Sequence, residues 1–168
     1  MSMSSGNLFL MFCADTFVPG NKWDSPFGPS GPSTIRCASA LKATLAELGA
    51  MTIDQPGKQN ITVQFSNGLQ ADALLMACTD QSTSTGCRGT SILVNYTTPD
   101  DVTAEQVRSG INEYNYRQNF GRAYLDPNGK ISVRFYLISD GGITMENYRQ
   151  NIGLFEVSAA KLADYVYN

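Results

Sequence analysis

Histidine is absent from the 168-residue chain. Without imidazole the protein cannot form a Ser-His-Asp triad, a Cys-His dyad, a His-ligated metal site or a histidine pH switch. Charge is also scarce, since Asp, Glu, Lys and Arg make up 16% of the residues, against about a quarter in typical domains. The net charge of -3 argues against electrostatic binding of nucleic acid. We therefore expect no nucleic-acid partner, no metal, no cofactor and no catalytic residue.

Long apolar runs are missing as well. No stretch approaches the roughly 18 to 20 apolar residues that a membrane-spanning helix needs, so we predict no integral membrane segment. The short run Leu8–Cys13 is not preceded by Lys or Arg, and a signal peptide with a basic n-region is therefore not predicted. The length suits one domain.

The first 32 residues differ from the rest in composition. Pro19, Pro26, Pro29 and Pro32 occur there among several glycines, and these residues interrupt helices and strand ladders. We predict an irregular N-terminal arm over residues 1–32 and one compact domain over residues 33–168.

That domain shows helical and strand periodicities in a recognisable order. Ser33 and Gly49 bracket the first helix, Thr103 begins a capping box, Asp126–Gly129 forms a hairpin turn, and Thr144 caps the last helix. The patterns predict an α+β domain, with helices packed on a single antiparallel sheet in the order α-β-β-β-(β)-α-β-β-α. The predicted helices are 33–48, one from 103 and one from 144, and the predicted strands are 51–55, 60–65, 70–77, 90–97, 121–126 and 130–138.

Four cysteines, Cys13, Cys37, Cys78 and Cys87, lack the C-x-x-C spacing typical of zinc and thioredoxin-like sites. Cys78 and Cys87 border two predicted strands that would be antiparallel neighbours, which favours a disulfide worth about 2.7 kcal/mol on the chain-entropy model. Reduced thiols in a cytosolic core are the alternative. For Cys13 and Cys37, a second disulfide and two free thiols both stay open.

Acid–base chemistry would need converging carboxylates. The candidates are Asp126, Asp140 and the Asp100–Asp101 pair, and each already has a turn or capping role. Asp126–Gly129 lacks the remaining ligands of a calcium loop, and Gly141-Gly142 is more typical of a turn than of an anion site. An enzyme that uses carboxylate or tyrosine chemistry is therefore the alternative to a non-enzymatic protein.

Arginines and aromatic rings alternate through the second half of the chain, for example at Arg117, Phe120, Arg134, Tyr136 and Arg149. Tyr and Arg are the residues that most often anchor protein contacts. The pattern indicates a partner-binding face, and the alternative places the rings in the core and the arginines in solvent. The candidate partner-binding residues are Tyr114, Asn115, Arg117, Phe120, Arg122 and Tyr124.

Three segments carry a family resemblance. They are N-E-Y-N-Y-R-Q-N-F-G-R-A-Y-L-D at 112–126, D-G-G-I-T at 140–144, and Cys78-Thr79-Asp80 followed by Cys87. In this order they resemble the YbjN family of bacterial sensory-transduction regulators. The resemblance spans about residues 35–166 and leaves the N-terminal arm unmatched.

The resemblance implies a fold similar to type III secretion chaperones and a protein or peptide partner that is held rather than turned over. No family catalytic residue is carried over. Family members with the cysteine pair often look exported, which implies a periplasmic or secreted location, while the missing leader leaves a cytoplasmic location open. Pairing with a second copy of the chain also stays open.

Overall fold

The computed structural model describes residues 38–167, so the N-terminal arm, Ser33 and the Cys13–Cys37 pair lie outside the described residues. The described part forms six strands and four helices. In chain order these are α1 (Ala38–Glu47), β1 (Met51–Asp54), β2 (Ile61–Gln64), β3 (Gln70–Met76), β4 (Gly89–Tyr96), α2 (Ala104–Arg117), β5 (Arg122–Leu125), β6 (Ile131–Ile138), α3 (Met145–Ala160) and α4 (Leu162–Tyr167).

All six strands join one antiparallel sheet in the order β1-β2-β3-β4-β6-β5. The predicted α+β class and its single antiparallel sheet are confirmed, and the strand left uncertain before α2 is present. Alternation along the strands separates two faces. In β2, for example, Ile61 and Val63 are buried, whereas Thr62 and Gln64 are partly exposed.

The helices cover one face of the sheet, and their apolar side chains share one core with it. The ring of Phe155 in α3 stacks on that of Phe135 in β6, with centroids 5.2 Å apart. Next to them the hydroxyls of Tyr148 and Thr90 are hydrogen-bonded at 2.6 Å. Burial raises the pKa of Tyr148 to about 12, because the charged phenolate would lose its hydration.

Local signals predicted the helix ends well. The Thr103 hydroxyl accepts from the Gln106 backbone N–H at 3.2 Å, and the Gln106 side chain accepts from the Thr103 N–H at 2.9 Å. This is the predicted capping box. Gly49 follows α1 with φ +74°, the left-handed conformation expected of a glycine that terminates a helix.

The last helix departs from the prediction, because the single helix expected after Thr144 is broken at Lys161. The Lys161 N–H reaches back three residues to the Ser158 carbonyl at 3.1 Å, which tightens the last turn of α3. The chain then turns into α4, which packs against α2. The buried apolar residues that follow Thr144 are therefore divided between two helices.

The same turn brings α4 against Gly110 of α2. An added Cβ at Gly110 would lie 2.5 Å from the Tyr165 carbonyl oxygen and 2.8 Å from a Val166 methyl carbon. A side chain at this position would prevent the two helices from meeting. The glycine thus allows α2 and α4 to pack closely against each other.

Cys78 and Cys87 form a disulfide across the β3–β4 hairpin. The loop between them continues the ladder through backbone hydrogen bonds that join Asp80 to Thr85 in both directions. The Ser82 hydroxyl donates to the Asp80 carboxylate at 2.6 Å and lowers the pKa of that carboxyl. The disulfide thus closes a loop that is also ordered by its own polar contacts.

Candidate functional site

The second face of the sheet carries no helix in the part of the chain that the structure describes. We call this surface the open face. Cross-strand partners show which side chains share it, since residues directly opposite each other point to the same side. The residues on the open face are Met51, Ile53, Thr62, Gln64, Gln70, Asp72, Leu74, Met76, Ser91, Leu93, Asn95, Arg122, Tyr124, Ser132, Arg134, Tyr136 and Ile138.

Large apolar side chains are exposed at both ends of the open face. Met51 and Ile53 on edge strand β1 are 62% and 59% exposed, and Tyr136 and Ile138 on β6 are 52% and 69% exposed. Between the two ends, Leu93 is only partly buried. Exposed apolar side chains that are neighbours on one face, as in the Met51–Ile53 and Tyr136–Ile138 pairs, and that polar residues border are typical of a binding surface.

A polar cluster lies on the open face around Asp72. Its carboxylate accepts from Asn60 Nδ2 at 3.0 Å and from Gln55 Nε2 and Thr62 Oγ1 at 3.5 Å. The cluster borders a shallow pocket of about 310 Å³ that Leu93 also lines. Amide and carboxylate groups in this setting can hydrogen-bond the backbone of an extended peptide.

A second pocket, of about 450 Å³, is lined by Arg122, Tyr124, Arg134 and Tyr136. We call it the arginine–tyrosine pocket. The Arg134 guanidinium carbon lies 5.5 Å from the Tyr124 ring centroid and 5.8 Å from the Tyr136 centroid, which is cation–π distance. Arg134 Nη1 also donates to the Tyr136 hydroxyl at 2.9 Å, and this bond raises the pKa of Arg134. The rings therefore hold the guanidinium in place.

The two arginines of this pocket differ from the other arginines in residues 38–167. Arg122 on β5 stands directly opposite Arg134 on β6, and neither has a carboxylate within ion-pair distance there. Each of the other described arginines has one. Those pairs are Arg88–Asp140, Arg108–Glu105, Arg117–Glu113 and Arg149–Glu146.

The structure brings two predicted partner-binding residues, Arg122 and Tyr124, together in this pocket. It places Tyr114 in the core, where it is fully buried. The Tyr114 hydroxyl donates to the Phe120 carbonyl at 3.2 Å and pairs with the Ser158 hydroxyl at 3.1 Å, and burial raises the pKa of Tyr114. The assignment of Tyr114 to a partner-contacting surface was wrong, because its ring fills the space between α2 and α3.

The remaining predicted residues lie in the helical layer or at its edge. Phe120 is half-buried and packs against the core. Asn115 binds the outer edge of β5, donating to the Ala123 carbonyl at 3.0 Å and accepting from its N–H at 2.9 Å. Arg117 is exposed on α2 and pairs with Glu113. These residues do not join Arg122 and Tyr124 on the open face.

Sequence reasoning left Arg134 and Tyr136 out of the predicted site. Two signals could have found them. Strict alternation in the strand 130–138 puts both on one side of the sheet, and the turn at Asp126–Gly129 sets the hairpin register that places Arg122 opposite Arg134.

The carboxylates considered for catalysis are held in turns. The Asp126 carboxylate accepts from the backbone N–H groups of Asn128 and Lys130, both at 2.8 Å. Asp140 lies 4.0 Å from Arg88. Asp126 and Asp140 flank opposite ends of β6, whose eight residues span about 25 Å at about 3.3 Å per residue. Paired-carboxylate chemistry needs a separation below about 10 Å, so these two cannot act together.

Seven solved chains resemble this one, and two of them are described here. One is the crystal structure of YbjN from E. coli, described as a putative transcription regulator, with a TM-score of 0.47 and 15% sequence identity, covering 72% of this chain and 90% of that one. The other is an uncharacterized protein from Methanothermobacter thermautotrophicus, with a TM-score of 0.53 and 14% identity, covering 77% of this chain and 95% of that one. The second likeness shows a shared fold. Comparison with curated proteins gave no match.

A family model covers most of the described domain. It is the YbjN model, described as "Putative bacterial sensory transduction regulator", and it matches residues 59–167. This stretch includes five of the six strands and the helices α2, α3 and α4. It also contains the arginine–tyrosine pocket and most of the open face. The chain belongs to the YbjN family.

Proposed function

We propose that the protein is a non-enzymatic regulator that binds a polypeptide partner on the open face and holds it, as a secretion chaperone does. The observation that carries this proposal is the contrast between the two sides of one sheet. One side is covered by four helices, while the other presents exposed apolar side chains such as Tyr136 and Ile138 beside hydrogen-bonding groups. The family description as a sensory-transduction regulator supports a binding role.

The surface suits a polypeptide better than a small substrate. Its two pockets, of about 310 and 450 Å³, are shallow and lie on the same face of the sheet. Small-molecule sites usually enclose most of their ligand in one concave cavity. A polypeptide laid across the strands can contact the polar cluster at Asp72, the apolar side chain of Leu93 and the arginine–tyrosine pocket at once.

Site-specific photocrosslinking tests the proposal. A benzoylphenylalanine replaces Ile138 on the open face or, as the control, Val157 on the outer side of α3, since these side chains are similarly exposed at 69% and 57%. Each protein is irradiated in a bacterial lysate, and mass spectrometry identifies the adducts. We expect polypeptide adducts from position 138 and few from position 157. Equal adducts from both positions, or none from 138, would contradict the proposal.

We further propose that the protein works in an oxidising compartment, either the periplasm or outside the cell. The Cys78–Cys87 disulfide supports this location, because disulfides persist in such compartments and are rare in the cytosol. Alkylation of thiols in intact cells, followed by mass analysis of the peptides around Cys78 and Cys87, tests it. We expect both cysteines to escape alkylation until a reductant is added, and immediate alkylation would overturn the proposal.

A further inference from the structure

We infer that the arginine–tyrosine pocket recognises the side-chain carboxylate of a Glu or Asp residue in the bound polypeptide. This inference rests on the proposed function, because it names the chemistry of the partner on the open face. It assigns Arg122 and Arg134 as the charged contacts, with Tyr124 and Tyr136 as the walls of the pocket.

The pocket contains two neighbouring positive charges that repel each other. Arg122 and Arg134 are direct cross-strand neighbours, and like charges in this position destabilise a sheet. The other arginines in residues 38–167 are each next to a carboxylate, so Arg122 and Arg134 are the described arginines without an ion-pair partner in those residues. A carboxylate between the two guanidinium groups would remove the repulsion and would accept charge-assisted hydrogen bonds.

The Arg134 guanidinium is held in place before a ligand binds. The ring centroids of Tyr124 and Tyr136 lie 5.5 and 5.8 Å from the Arg134 guanidinium carbon. The Tyr136 hydroxyl accepts a hydrogen bond from Arg134 Nη1 at 2.9 Å. An arginine that is already held loses less side-chain freedom when a ligand binds. The volume of about 450 Å³ accommodates a carboxylate together with its methylene stem, which the ring faces can contact.

The charges along the open face indicate where the acidic residue of the partner lies. Asp72, Leu93, Arg134 and Arg122 follow one another in register across four strands. Asp72 is two strand spacings from Arg134, which is about 10 Å. Lys130 offsets the negative charge of Asp72 in the pocket that both line, whereas Arg122 and Arg134 place two positive charges side by side at the other end. The arginine end is therefore the better site for an acidic residue, and the segment next to it contacts Leu93. The partner then carries an acidic and an apolar side chain that lie next to each other on one side of the polypeptide.

Binding of synthetic peptides tests this inference. The probe is a fluorescein-labelled peptide with an amidated C-terminus, in which Glu and Leu take turns at every second position with Ser between them, so that both point to one side of an extended chain. It is compared by fluorescence anisotropy with the counterparts that carry Gln or Lys in place of Glu. For the Glu peptide we expect binding that weakens with salt, and binding at least about tenfold tighter than that of the Gln peptide, as for a charge-assisted contact. Competition by free glutamate or inorganic phosphate at equal concentration should be weak, because neither contacts Leu93.

Substitutions in the arginine–tyrosine pocket test whether the Glu peptide binds there. Arg122→Gln combined with Arg134→Gln should reduce binding of the Glu peptide at least about tenfold. Arg108→Gln is the control, because it removes the same charge from an exposed arginine of α2 and should change binding less than twofold. Arg134→Lys should retain part of the affinity, since lysine keeps the charge without the planar fork. Arg122→Gln alone serves if the double variant does not fold.

The outcomes separate the two proposals. If the Glu and Gln peptides bind equally, or if the pocket variants bind like the unchanged protein, the inference about acidic recognition is wrong while polypeptide binding stands. If no peptide of any charge binds and position 138 gives no adduct, both proposals are wrong. If free phosphate displaces the peptide at equal concentration, the pocket is a general anion site and the inference is overturned.

Discussion

On the covered face of the sheet, the hydroxyl of Tyr148 bonds to Thr90 and that of Tyr96 donates to the Ala159 carbonyl at 2.5 Å. On the open face, Tyr136 accepts from an arginine and remains half exposed. The same residue type therefore attaches helices on one side of the sheet and lines a pocket on the other. Whether a tyrosine in a strand joins the core or lines a pocket thus depends on what covers that face of the sheet.

Substitutions on the covered face should lower the free energy of unfolding far more than substitutions on the open face. Phe155→Ala removes a fully buried ring that stacks on Phe135, and we expect a loss of about 3 to 5 kcal/mol in the free energy of unfolding. Urea denaturation at neutral pH measures it. A loss below about 1 kcal/mol would show that the helical layer does not carry the core.

High pH should weaken the covered face. Burial raises the pKa of Tyr148 to about 12, while an unfolded tyrosine titrates near 10. The stabilisation is complete below pH of about 10, where the phenol is neutral in both states, and is lost as pH rises toward about 12 because the unfolded state ionises first. We expect this group to contribute a decline of about 2 to 3 kcal/mol in unfolding free energy.

Tyr148→Phe is the matched variant for this measurement, made by urea denaturation between pH of about 9 and 12. Its decline should be shallower than that of the unchanged protein. Some decline should remain, because burial also raises the pKa of Tyr96. Equal slopes in both proteins would contradict the assignment to Tyr148.

Gly110→Ala tests the contact between α2 and α4. Helix propensity alone predicts a gain of about 1 kcal/mol. The new methyl group would meet the Tyr165 carbonyl at 2.5 Å, and overpacking against backbone costs about 1 to 3 kcal/mol. We expect a net loss of stability, measured by thermal unfolding. A net gain would show that α4 moves freely away from α2.

Ile138→Ser changes an open-face residue and should have the smallest effect on stability. The side chain is 69% exposed, so the unfolding free energy should change by less than about 0.5 kcal/mol. Capture of the partner by the open face should nevertheless weaken. A stability loss as large as that of Phe155→Ala would mean that Ile138 belongs to the core.

Sequence patterns predicted the features that depend on neighbouring residues. The capping box at Thr103, the turn at Asp126–Gly129 and the helix end at Gly49 are set by contacts within a few positions. The strand patterns and the turns between them predicted one antiparallel sheet. These signals are readable because each rests on backbone geometry and on side chains three or four residues apart.

Packing between distant segments decided the rest. The break at Lys161, the contact of Gly110 with α4 and the burial of Tyr114 depend on how α2, α3 and α4 meet. The arginine–tyrosine pocket depends on a face of the sheet that no described helix covers. The order of residues along a strand assigns each side chain to one side of the sheet. Which side the helices cover depends on how distant segments pack, because burial is a property of two surfaces in contact.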